Sequence, residues 1–185
     1  MTGRLIDDFM PVWDAVERHA VEVARPVETV YRAVRALDLT GSRLVRLLFF
    51  LRRLPLILRR PASPRRRGLT LDALLGSGFI LLGETPPHEL AVGIAGRFWT
   101  ATGDVQRLDV PAFRAFDRPG YAKAVWNFTL DGDARLTRLA TETRVRCLDA
   151  PSRARFTCYW RIVGPFSGLV RMQLLGSIKR QAEAV

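Results

Sequence analysis

From Tyr121 to the end of the chain the apolar residues change period, and that change limits the possible folds more than any other feature. Over residues 121–130, Ala122, Ala124, Trp126, Phe128 and Leu130 alternate with Tyr121, Lys123, Val125, Asn127 and Thr129, the two-residue repeat of a strand. Asp131-Gly132-Asp133 reads as a turn. Residues 135–148 then alternate again, with Leu139, Thr141, Thr143, Val145 and Cys147 opposed to Arg138, Glu142, Arg144 and Arg146. After Asp149-Ala150-Pro151-Ser152, which supplies helix-capping chemistry, the spacing becomes helical. Phe156, Tyr159, Trp160 and Val163 lead into Leu169, Val170, Leu174 and Ile178. A hairpin with an apolar face and a long helix with an apolar stripe have to cover one another. Gly164-Pro165 lies inside the helical stretch and predicts a kink or two abutting helices.

The earlier part of the chain supplies the remaining elements. Residues 17–24 alternate, with His19, Val21 and Val23 on one face and Arg18, Ala20 and Glu22 on the other. Pro26 suits the first turn of a helix over 26–36, whose apolar face is Val27, Val30, Tyr31 and Val34. A second helix is predicted from Ser42 through Leu44, Leu47, Leu48 and Leu51 until Pro55 interrupts it. Residues 59–68 are rich in proline, serine and arginine and read as an exposed loop, with a further helical turn at 70–76. Strands are predicted at 78–84 and 88–96, joined by the turn Thr85-Pro86-Pro87, and around Thr102–Leu108. The order strand, two helices, several antiparallel strands, long helix defines an α+β fold, without repeats, as a single domain over residues 1–185.

The charge balance points to anionic partners. The chain carries a net charge of +11, and only Lys123 and Lys179 among its cations are lysines. Such a field attracts nucleic acid, anionic lipid headgroups or acidic ligands. The arginines are dispersed along the chain, which argues against a dedicated nucleic-acid surface and fits arginine usage in a GC-rich genome. The densest run is Arg52-Arg53, Arg59-Arg60 and Arg65-Arg66-Arg67, interleaved with leucines in its first half. That pattern suits either an anionic membrane or acidic-partner surface, or a packed helix with its arginines in water. Two cysteines, Cys147 and Cys158, make no disulfide framework and read as small hydrophobes. The acidic residues of Met1–Asp8 do not make a signal peptide, and no apolar run reaches bilayer-spanning length. The expectation is a cytoplasmic protein, with any membrane contact peripheral.

Chemically bearing residues are few. His19 shares the apolar face of the first strand, while His88 follows two prolines and is expected to be exposed. Glu142 and Arg144 project to one side of their strand, where a solvated pair is expected, and Thr141 and Thr143 project to the other. His19 and Glu142 are the acid/base candidates for an enzymatic reading. No serine sits in a nucleophile elbow, and no cluster has metal-ligand spacing. Nothing calls for a cofactor.

Several of these stretches are similar to one family. Glu17–Val34, with Ala-Arg-Pro-Val-Glu-Thr-Val-Tyr opening the first helix, resembles the START-like, helix-grip (SRPBCC) superfamily, which includes polyketide cyclases, lipid-transfer domains and plant allergens. So do Tyr121–Phe128, Thr141–Val145, and Tyr159-Trp160 through Pro165–Arg171. The tail is similar to uncharacterised bacterial members. The loop at 59–68 is longer than the family's usual connection. The resemblance implies a curved sheet gripping the C-terminal helix around a cavity for a small hydrophobic or amphipathic ligand, lipid- or polyketide-like. Phe79, Phe98, Trp99, Trp126, Phe128, Phe156, Tyr159 and Trp160 are the candidate lining residues, with core filling as the alternative. Thr141 and Thr143 would supply hydroxyls. A cyclase- or dehydratase-like enzyme is the second reading, and the oligomeric state is open.

Overall fold

A computed structural model describes residues 3–36, 75–100 and 102–184. The expected second helix, the loop at 59–68 and the arginines from Arg52 to Arg67 lie outside these residues. Among the described residues five strands form one antiparallel sheet: β1 (Ala15–Val23), β2 (Ile80–Thr85), β3 (Glu89–Gly96), β4 (Ala122–Gly132) and β5 (Thr137–Cys147). Their order across the sheet is β1-β5-β4-β3-β2. The helices described in full are α1 (Leu5–Phe9), α2 (Val27–Arg35), α3 (Val110–Ala115) and α4 (Ala150–Glu183).

The two faces of the sheet are covered by different elements. On the inner face, α2 and α4 enclose a core of Val23, Val30, Leu90, Phe128, Leu130 and Leu139 with Leu174, Leu175 and Ile178. On the outer face, Ile6 and Met10 from the N-terminal segment and Phe113 of α3 cover Leu82, Ala91, Ala95 and Val125. This double cover explains why β3 is apolar on both sides from Leu90 to Gly96. The result is an α+β arrangement, an open antiparallel sheet with the long C-terminal helix laid across its inner face.

Three local expectations are corrected. The stretch Thr102–Leu108 is not a strand: Gly103 and Asp104 take positive φ and turn the chain, and a single bridge pairs Gln106 with Ala95. The chain then enters α3, whose N-cap Asp109 accepts from the Ala112 amide at 2.8 Å. β4 runs through Asp131 and Gly132, so the turn sits one step later, where Asp133 Oδ1 accepts from the amides of Arg135 (2.7 Å) and Leu136 (3.0 Å). Of the two alternatives at Gly164-Pro165, two abutting helices are overturned, because α4 is continuous over 34 residues. Arg161, Ile162, Pro165 and Phe166 are exposed, so water can solvate the carbonyl that the proline leaves unpaired.

Asp149 caps α4 by accepting from the Ser152 amide at 2.7 Å, and its second oxygen accepts from Gly120 at 2.7 Å. The helix is anchored at both ends and not in the middle. Phe156 is buried near its start, and Leu174, Leu175, Ile178 and Ala182 near its end. Ile178 is fully buried whereas Ile162 is 71% exposed. Ile178→Ala should cost about 3 kcal/mol, or roughly 6–12 °C in Tm for a chain of this size. Ile162→Ala should stay within about 0.5 kcal/mol. Thermal denaturation of the two variants checks the contrast.

Candidate functional site

The alternation of β1 places Glu17 and His19 on the inner face, and its register with β5 sets them opposite Thr143 and Thr141 respectively. Across from them α4 presents Ser167 and Arg171, one turn apart and on the same side. The Arg171 guanidinium joins the two elements. Its Nη1 donates to Glu17 Oε2 at 2.9 Å and its Nη2 to Thr143 Oγ1 at 2.9 Å, with a further contact to the Ser167 hydroxyl. Glu17 Oε1 in turn meets His19 Nε2 at 2.9 Å. The side chains of Arg171 and Glu17 are each 15% exposed and that of His19 22%. Burial lowers the Arg171 pKa and Glu17 opposes the shift. A guanidinium titrates so far above neutrality that it keeps its charge.

Gly168 lets the helix approach this closely. A Cβ there would come within 2.9 Å of Glu17 Oε1 and 3.4 Å of His19 Cε1. The carboxylate is already held by His19 and Arg171, so it cannot swing aside without breaking one of them. Gly168→Ala should gain up to about 1 kcal/mol in helix propensity and lose a comparable amount in displaced contacts. The expected outcome is a nearly unchanged Tm with a changed His19 ring environment, read by the imidazole NMR signals.

Apolar clusters stand on either side of the polar set. At one end Phe156 stacks on Trp160 at 5.4 Å between centroids and approaches Tyr159 at 6.1 Å. Phe98 and Trp99 pack against the same cluster. At the other end Phe128 is core, Phe79 and Trp126 pack on it, and Trp126 tilts against Phe128 at 5.0 Å. The aromatic residues singled out in the sequence therefore separate into two groups, one at each end of the helix contact. The hydroxyls also differ. Thr141 accepts from Trp126 Nε1 at 2.5 Å and donates to the Asn127 carbonyl at 2.8 Å, so it is fully used. Thr143 accepts only from Arg171, and its hydroxyl proton has no acceptor among the described residues. His19 Nδ1 is likewise without a partner among them.

Glu142 stands on the opposite face of β5, away from His19, and the expectation of a solvated Glu142–Arg144 pair is corrected. Both side chains are buried beneath the N-terminal segment. Glu142 receives Arg144 Nε at 2.7 Å, Arg4 Nη1 at 2.9 Å and Arg18 Nη2 at 3.0 Å. Arg144, 1% exposed, also pairs with Asp7 at 2.7 Å, donates to the Met10 carbonyl at 2.8 Å and lies 3.9 Å from the Trp13 ring centroid. Asn127 extends the network: Oδ1 accepts the Glu142 amide, and Nδ2 donates to Glu89, which holds the Leu5 amide. A pocket of about 250 Å³ opens beside it, lined by Arg4, Arg18, Arg138 and Glu142, and His19 and Thr141 also contribute to its wall although alternation sends their side chains to the inner face. Its lining sets three arginines, Arg4, Arg18 and Arg138, against the single carboxylate of Glu142, which Arg144 also shares, so the pocket is net positive.

This network has a pH signature. Burial alone would raise the Glu142 carboxyl, but hydrogen bonds from Arg18 and Arg144, the Arg144 charge and Arg4 bring it down to about 2. A folded-state value below the unfolded one means stabilisation above about pH 5 that is lost as the pH falls toward 2, on the order of 3 kcal/mol in all. Glu142→Gln should cost about 3 kcal/mol at neutral pH, because it leaves a buried guanidinium short of charge. It should also flatten the stability profile below about pH 5. Urea denaturation across the acid range measures both.

The cysteines stay outside the inner site. Burial, with Asp14 nearby, pushes the Cys147 thiol up to about 12, and Cys158 is exposed on α4 rather than buried as its neighbours implied. His88 is exposed as expected. Glu17, Ser167 and Arg171 were not anticipated as site residues. The signal for Glu17 was its two-residue spacing from His19, but nothing in the sequence paired either with Arg171.

No protein-family model matches the chain, and no curated protein does. Among solved structures it is similar to TTHA0849 from Thermus thermophilus, at 12% identity over 92% of this chain and 98% of that one, with a TM-score of 0.35. It is also similar to the ZhuI aromatase/cyclase from Streptomyces sp. R1128, at 14% identity, 91% and 93% coverage and a TM-score of 0.27. A truncated norcoclaurine synthase from Thalictrum flavum aligns at 13% identity, 90% and 91% coverage and a TM-score of 0.32. Similarity at this level assigns neither ligand nor chemistry. Among the described residues no helix is long and apolar enough to cross a membrane.

Proposed function

We propose that this protein binds a small amphipathic ligand between the inner face of the sheet and the middle of α4. The observation that carries the reading is the position of Arg171, Glu17, His19 and Thr143 between two apolar clusters. Polar groups are costly to place under a helix that could be covered by apolar ones, and each is retained here in a hydrogen-bonded set. A ligand with an acidic or carbonyl group would take the guanidinium and the Thr143 hydroxyl proton. Its apolar body would lie toward Trp126 or Trp160. Native mass spectrometry of the purified chain should find a co-purifying acidic or carbonyl-bearing apolar molecule. The anionic fluorophore anilinonaphthalene sulfonate should bind wild type and bind Arg171→Met roughly tenfold more weakly, a loss of about 1.4 kcal/mol. An empty protein that fails to bind the probe rejects the reading.

A second reading, cyclase- or dehydratase-like proton transfer, is favoured by one contact. The Glu17 carboxylate engages His19 Nε2, which leaves Nδ1 as the nitrogen able to take a proton from a bound ligand. In deuterium oxide, a co-purified carbonyl ligand should exchange its α-hydrogens with wild type. His19→Gln should abolish the exchange while leaving anilinonaphthalene sulfonate affinity within about twofold. Exchange that survives in His19→Gln removes His19 from the chemistry.

A further inference from the structure

The outward side of α4 carries a second apolar row, separate from the ligand reading. Ile162, Phe166, Leu169 and Met172 recur at helical spacing and are 71%, 47%, 56% and 43% exposed. They point away from the sheet, because Trp160, Ser167, Arg171 and Leu174 occupy the inward side. The row is about 15 Å long. Exposed Arg155 and Arg180 lie on the same side, one beyond each end of it, and exposed Arg161 flanks it. Between Asp149 and Glu183 the helix has no acidic residue but carries Arg153, Arg155, Arg161, Arg171, Lys179 and Arg180. Arg171 pairs inward with Glu17, Arg153 with Asp14 and Lys179 with Glu183. Arg155, Arg161 and Arg180 form no salt bridge among the described residues.

We propose that this face of α4 docks the protein on an anionic lipid surface, with the apolar row set into the headgroup region and the arginines against lipid phosphates. Single exposed apolar side chains are ordinary, but four in line are not. The absence of acids along 33 consecutive residues supplies the charge complementarity. A helix with an apolar row bordered by arginine can lie in the interface plane without crossing it.

Sedimentation of the full chain with phosphatidylcholine vesicles, with and without phosphatidylglycerol, tests the proposal. Binding should require the anionic lipid and weaken as salt is raised. Ile162→Ser with Leu169→Ser should lower vesicle affinity roughly tenfold or more, and Arg155→Gln with Arg161→Gln should lower it about thirtyfold. Neither pair should move Tm by more than a few degrees. No binding to anionic vesicles, or equal binding by all variants, overturns the proposal. A fall in Tm beyond a few degrees in Ile162→Ser/Leu169→Ser would mean that the row is covered by the chain's own residues, and would overturn it too. So would a solution dimer that the same variant dissociates, which would assign the face to a second copy. Loss of vesicle binding with anilinonaphthalene sulfonate binding intact separates this surface from the inner site.

Discussion

Strand β5 pairs on both edges and is covered on both faces, and this constraint governs the rest of the molecule. Its alternation sends Thr141 and Thr143 inward and Glu142 and Arg144 outward. Arg138 and Arg146 at the ends of the outer side reach water, but Glu142 and Arg144 in the middle are buried, so their charges need partners. The N-terminal segment supplies them: Asp7 and the Met10 carbonyl hold Arg144, and Arg4 holds Glu142. An unpaired buried guanidinium would cost several kcal/mol. The network therefore fixes where the first residues of the described chain must lie. Lys123 repeats the arrangement on β4, where its Nζ donates to the Phe113 and Arg114 carbonyls and closes the end of α3.

The inner face answers a different requirement. A long helix lying across a sheet would be held most strongly by an unbroken apolar stripe, yet α4 has one only at its ends. In its middle the helix presents Gly164, Ser167, Gly168 and Arg171 to the sheet, and the sheet presents Glu17, His19 and Thr143. Gly168 brings the two within hydrogen-bonding reach, because any side chain there would collide with Glu17. Stability is thus carried by the Phe156 cluster and the Leu174–Ala182 cluster, and the polar interval between them is where a ligand's contacts can be exchanged for internal ones. The opposite side of the same interval bears the exposed apolar row, so the middle of α4 is also the part least committed to the core.

Much of the fold was legible because periodicity reports burial directly. Both long strands and helices α2 and α4 were placed within a few residues, since Pro26, Asp149 and the turn residues mark their ends with local chemistry. Three features were misread where local rules compete with surroundings. Pro165 breaks helices in general, but its orphaned carbonyl lies on an exposed stretch. Gln106 sits among residues of strand type, but positive φ at Gly103 and Asp104 redirects the chain after a single bridge. Glu142 and Arg144 looked like a solvated pair because charged residues usually are, and α1 was not foreseen to cover them.

The sequence by itself determined the α+β order, the antiparallel hairpin and the faces of its strands, because a two-residue period assigns every side chain to one side or the other. It also determined the basic charge and the lack of acids between Asp149 and Glu183, which are properties of composition along the chain. Only the tertiary structure decided what each face meets. Arg171 is 154 residues from Glu17 and Asp7 is farther in sequence than any local pattern reaches from Arg144. Such pairings depend on how α4 and the N-terminal segment settle on opposite sides of one sheet, and no spacing in the sequence encodes that.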